Sequence, residues 1–357
     1  MKRRHHYVPQ FYLRAFASAP RRINIFNLVR GLPINNAGLR NQCFRHRLYG
    51  KDDALENAFS EIEGQSAPVI AAITATRQPP NSGSREYVGL LTFVALQHLR
   101  TTAALARIQL ASEKLAAAVF PDEPPAGFVL DEGQSMALSL STHRHVINAL
   151  DDLKAHVIIA SPGTQFVTSD NPAYHYNAYC EGITGTGTAG AASRGLQVFL
   201  PLSPQVTILL FDRAVYKAGR KGTAASSIAT AEDVAAINLV QFAAAQDNVY
   251  FAAWDMSQQL SRLAEKAQSL RPASRIHLQK AYEVGNEQSM LLHQYEQTPN
   301  LDLRLSFLSL RRDARRVPLS ERARQVRKHL PSMQGKPAST SEPDGSRARI
   351  FTTRRPR

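Results

Sequence analysis

From about Arg85 to Val119 the chain carries its longest helical pattern, with Leu90, Phe93, Val94, Leu96, Leu99 and Leu105 falling into one broad apolar stripe. A stripe that wide has to be buried, so the segment predicts a helix central to the core. Gln97, His98 and Arg100 interrupt its most apolar part. They leave no run of roughly 18 apolar residues, so no transmembrane span is expected. Gln97 and Arg100 are three apart and share a face of this helix, where buried polar groups need partners. Glu63, seven residues after Glu56 on an earlier helical segment, is the expected ion-pair partner of Arg100.

The elements around this helix do not alternate as they would in a doubly wound parallel sheet. Arg22–Leu28 alternates like a strand, and a short strand is expected around Gln42–Tyr49. Asp53 and Glu56 have the spacing of a capping box opening a helix, which Pro68 is expected to kink or restart. Gln134–Leu150 predicts a further helix. Strands are expected at His156–Ala160, Gln165–Thr168, Gln197–Leu200, Val206–Phe211 and Asn248–Ala252. Thr230 and Asp233 cap a helix through Ala245, and Trp254–Leu270 and Ile276–Tyr295 give weaker helical patterns. The fold class is α+β, with a helical middle packed on a mainly antiparallel sheet built from both flanks. One globular domain is expected over residues 1–310.

The net charge of +14 is concentrated at one end: residues 311–357 carry +10 and the other 310 residues only +4. This predicts a disordered basic tail from Arg311, able to touch nucleic acid without sequence preference, beside a nearly balanced body. Two cysteines, Cys43 and Cys180, make neither a disulfide framework nor a four-thiolate metal site. The basic N-terminus has no apolar stretch or cleavage site after it. A cytoplasmic protein without a membrane segment is therefore expected.

Chemistry-bearing residues cluster first in the run His5–Phe16, H-H-Y-V-P-Q-F-Y-L-R-A-F. In an extended segment His5 and His6 point to opposite faces, so only one of them joins a given site easily. An imidazole there is a candidate general base, general acid or metal ligand; the plainer reading is a structural arm. The second cluster is V-T-S-D-N-P at Val167–Pro172. It presents Asp170 and Asn171 at a strand end, as a binding pair or as a well-made Asx turn. His98 alone among apolar neighbours reads as a core histidine. His143 and His145 diverge on a helix. G-T-G-T-A-G at Gly185–Gly190 lacks the strand, helix and acidic partner of a dinucleotide fingerprint, and a mobile loop is expected over Gly182–Gly195.

Five of these segments together resemble a family of bacterial proteins carrying the domain of unknown function 4238. They are His5–Arg14, L-E-N-A-F-S-E-I-E at Leu55–Glu63, Q-H-L-R at Gln97–Arg100, T-S-D-N-P at Thr168–Pro172 and P-L-S-P at Pro201–Pro204. The resemblance covers about residues 4–255 and implies a shared set of polar positions, with no activity attached. The residues themselves suggest a hydrolase acting on nucleic acid or a nucleotide. His5 or His6 would be the base or metal ligand, with Asp170 and Glu63 as carboxylates, and Gln10, Gln97, Arg100 and Asn171 would hold substrate. His6, Glu63 and Asp170 are candidate ligands for Mg²⁺ or Mn²⁺. The alternative is a non-catalytic ligand- or peptide-binding protein, with the polar cluster as its pocket or as a structural network.

Overall fold

The computed structural model describes residues 4–49, 54–219, 225–283 and 290–327. Its class is α+β, with mainly antiparallel sheets. A five-stranded sheet runs in the order Ser226–Ala229, Lys154–Ala160, Val206–Phe211, Gln197–Ser203, Tyr174–Tyr176. Its first pair is parallel and the others antiparallel. A four-stranded antiparallel sheet takes Leu32–Gly38 and Arg22–Asn27 from the N-terminal flank, then Asn248–Phe251 and Thr168–Ser169 from beyond the helical middle.

The central strands Gln197–Ser203 and Val206–Phe211 of the larger sheet are buried along their whole length because both faces are covered. Val157, Val198, Leu200, Ile208 and Leu210 pack into one core with the central helix and the N-terminal arm. Their sequence neighbours Ile158, Phe199, Leu209 and Phe211 pack into a second core with the helix Ala231–Ala244. The period of two along each strand sends successive side chains to opposite cores. The capping box expected at Thr230 and Asp233 opens that second helix.

Three expected helices take a different form. The central pattern is two helices, Arg85–Leu99 and Thr102–Val119, bent by 54°. The Thr101 hydroxyl accepts from Ala104 N and so starts a new helix where apolar periodicity alone reads straight on. Gln134–Leu150 likewise divides into Glu132–Ser141 and His143–Leu150. Ile276–Tyr295 is an antiparallel hairpin of Ile276–Glu283 and Met290–Glu296. Pro68 lies inside a helix that runs on as Ala54–Thr76. Asp53, the expected cap of that helix, lies outside the described residues. No single helix among the described residues is long and apolar enough to cross a membrane.

Of the expected disordered tail, residues 311–327 are folded onto the body. Arg312–Arg316 and Leu319–Arg322 are short helices, and Ala314 is buried. Three arginines of this segment, Arg311, Arg322 and Arg327, act here as donors to backbone carbonyls. Arg311 Nε donates to Arg213 O at 2.7 Å, and Arg322 Nη1 donates to Tyr179 O at 2.9 Å. Residues 328–357, and with them half of the basic residues of the expected nucleic-acid contact, lie outside the described residues.

Candidate functional site

Residues Arg4–His6 form a short strand paired with Phe44–His46, which sets the two histidines on opposite faces. His5 is buried: its Nδ1 accepts from Tyr49 N at 3.1 Å, and its ring stacks on Tyr49 at 5.1 Å. His6 faces the other way and stays partly exposed. Gln10 Nε2 donates to His6 Nε2 at 2.9 Å, and the Arg40 carbonyl lies 3.3 Å from the same nitrogen. One ring nitrogen cannot serve both at once: unprotonated it accepts from Gln10, protonated it donates to Arg40. Burial holds the His6 pKa below its ordinary range, against the opposing pull of the Arg40 carbonyl and the Glu63 carboxylate.

The expected Glu63–Arg100 ion pair is present, with Arg100 Nη1 2.8 Å from Glu63 Oε1. Arg100 is fully buried, at the C-terminal end of the central helix, and its guanidinium lies 5.4 Å from the Phe59 ring centre. Its Nε and Nη2, and both polar atoms of the Gln97 carboxamide, have no hydrogen-bond partner among the described residues. Tyr49 completes this node, between His5 and the edge of Phe59. Sequence reading misses Tyr49, because no spacing connects it to the arm it packs on.

Asp170 and Asn171 do different work. The Asp170 carboxylate is completely buried and accepts three backbone hydrogens: from Gln246 at 2.8 Å, Asp247 at 2.7 Å and Asn248 at 2.9 Å. It thereby holds the turn that joins Ala231–Ala244 to Asn248–Phe251. Burial pushes its pKa up to about 6, against the three N–H donors that pull it down. Asn171 accepts from the Thr101 hydroxyl and donates to Ala244 O, both at 3.1 Å, and so ties the bend of the central helices to the same turn. The expected metal ligands His6, Glu63 and Asp170 are therefore not gathered: among the described residues no group of three or more His, Cys, Asp or Glu is placed to hold a metal ion. His6, Gln10, Glu63 and Arg100 do share one neighbourhood.

The other face of the same helix end opens on a cavity of about 420 Å³. His98, read from the sequence as a core histidine, stacks there on His175 with ring centres 3.8 Å apart and planes within 4°. His98 shares a hydrogen bond with Ala173 O through Nδ1 at 3.3 Å, whereas His175 Nε2, buried, has no partner among the described residues. Both rings are neutral at pH 7. Burial first, then Arg107, push His175 down to about 3, and burial and the neighbouring His175 hold His98 well below its ordinary value.

The opposite wall is the hairpin strand Met290–Glu296, through His293, Tyr295 and Glu296. The glycine-rich loop, through Thr186, Gly187, Ala189, Gly190, Ala191 and Ser193, supplies a third wall with little side-chain bulk. That loop is pinned from the C-terminal segment. Arg327 donates to Ser193 O at 2.9 Å and to Ala191 O at 2.6 Å, and its Nε meets the Asp152 carboxylate at 2.9 and 3.0 Å. A larger cleft of about 550 Å³ between Ala54–Thr76 and Arg85–Leu99 has no histidine in its lining. No sequence signal joins His98, His175 and the hairpin, since they come from three distant segments brought together by the sheet.

No curated protein and no solved structure matches this chain. One family model does, over residues 4–254, a span that holds the histidine arm, both helices of the bend, the Asp170 turn and the His98–His175 pair. The chain accordingly belongs to the family described as proteins of unknown function, DUF4238.

Proposed function

We propose that this is a non-catalytic ligand-binding protein whose site is the cavity walled by His98, His175 and the hairpin strand. The polar node around Arg100 then fixes the N-terminal arm to the helices. The observation that carries the reading is the stacked, neutral histidine pair in the wall of a cavity, where the buried His175 Nε2 makes no close hydrogen bond among the described residues and the Ala189 backbone acts on the ring. Leaving such an acceptor or donor unmet is costly, and a ligand atom in the cavity would meet it. The volume falls in the range of roughly 300–1,000 Å³ typical of small-molecule sites, and the lining sets histidine and tyrosine rings beside the polar side chains of Arg107, Gln294 and Glu296.

The hydrolase expected from the sequence would use Asp170 as a free carboxylate, whereas both of its oxygens already hold backbone hydrogens. The node also lacks the assembled donors that water activation by a metal calls for. Titrating the full chain with two neutral ring compounds, indole and adenosine, while following the histidine ring protons by NMR tests the binding reading. Saturable shifts of His98 and His175 by either compound are expected. Shifts spread over the surface, or none from either compound or from its carboxylate or phosphate derivative, would contradict it.

A further inference from the structure

We infer that the cavity takes a planar ring bearing one anionic group, a carboxylate or a phosphate; this rests on the binding site proposed above and goes on to name what the site selects. The ring half of the inference comes from the walls. His98 and His175 form a flat neutral surface on one side, and Tyr295 and His293, stacked 5.3 Å apart, form another on the hairpin. Tyr174 also lines the space. Aromatic rings in more than one wall favour a flat guest over a branched aliphatic one. Neutral imidazoles add hydrogen-bonding nitrogens that suit ring heteroatoms.

The anionic half comes from Arg107. It is the one Lys or Arg among the described residues lining the cavity, with 14% of its side chain exposed. Its ion pair is a single contact from Nε to Glu296 Oε2 at 3.6 Å, and Glu296 is itself 38% exposed. A long, half-solvated contact of this kind contributes little. It leaves most of a five-donor fork that fits carboxylate and phosphate oxygens in pairs. A ligand anion can displace Glu296, which then turns to water without a buried charge being stranded. Arg107 is the only such cation among the described lining residues, so the inference stops at one anionic group.

The experiment compares each neutral ring with its charged counterpart on the full chain by calorimetry: indole with indoleacetate, and adenosine with adenosine monophosphate. Inorganic phosphate serves as the ring-free control. At least one charged compound is expected to bind tenfold or more tightly than its neutral parent, with phosphate alone weak. Arg107→Gln should erase that preference and Arg107→Lys should retain part of it, while neutral-ring binding persists in both. The better of the two charged compounds distinguishes a carboxylate from a phosphate. Equal binding of neutral and charged rings, or a preference that survives Arg107→Gln, overturns the inference and leaves the binding site standing. Absence of binding by all four ring compounds overturns both.

Discussion

Asp170 illustrates how a residue chosen from sequence for chemistry can be explained by backbone bonding. An aspartate before Asn-Pro at a strand end is legible as either a presented carboxylate or a turn anchor, and the choice turns on donors 76 to 78 positions away. Asp170→Asn keeps the shape but replaces one accepting oxygen with an amide that must face an N–H. A loss of about 2–4 kcal/mol in urea unfolding is expected; unchanged stability would return Asp170 to the list of functional groups. Arg100 and Glu63 were legible as a pair because helical spacing places both on inward faces. Glu63→Ala strands a fully buried guanidinium and should cost about 3 kcal/mol or more, whereas Arg100→Met, which removes the charge and fills its space, should cost clearly less. The same denaturation series measures both.

His175 makes a prediction about pH. In the unfolded chain its imidazole titrates near 6.5, but in the fold burial and Arg107 push it down to about 3, with Arg327 acting in the same direction and the Ala189 backbone opposing. Below about pH 6.5 the unfolded chain takes up a proton that the folded chain refuses. The contribution of this residue is therefore present above that pH and is lost as pH falls toward 3. The slope is about 1.4 kcal/mol per pH unit. Chemical unfolding at pH 7 and pH 5 should show a loss that shrinks in His175→Gln; equal losses in the parent and the variant would mean that the ring is protonated in the fold.

At the level of elements, the readable features were those with local causes. The Thr230–Asp233 capping box and the Val206–Phe211 strand stand where the pattern puts them. The strands Ile276–Glu283 and Met290–Glu296 escape the sequence pattern because L-L-H-Q-Y can satisfy either period, and only their pairing with each other decides for strand. Residues 311–327 depart from the expected tail for a related reason. Basic composition there reads as a solvated tail, yet Arg327 is buried against Asp152 and the carbonyls of the glycine-rich loop. Two truncations test this. A chain ending at residue 327 should unfold like the full protein, and one ending at Leu310 should lose several kcal/mol, on the order of a broken buried ion pair. Equal stability of the two would show that residues 311–327 pack without consequence.

For the molecule as a whole, the α+β class followed from the irregular order of helical and strand segments. That the sheets separate two cores did not follow, because a strand apolar on both faces carries no mark of which neighbours lie on either side. The same limit hid the cavity: Gln97 and Arg100 were noticed for facing into one core, while His98, one residue from Gln97, faces the space beside the other wall. The central claim is that the ligand site lies on the His98 side of this helix and not on the Arg100 side. It is tested most directly by assigning the histidine ring protons of the full chain and adding indoleacetate or adenosine monophosphate. The account predicts that His98 and His175 shift and saturate while His5 and His6 stay in place. Shifts of His5 and His6 with His98 and His175 unmoved would contradict it and put the ligand at the polar node.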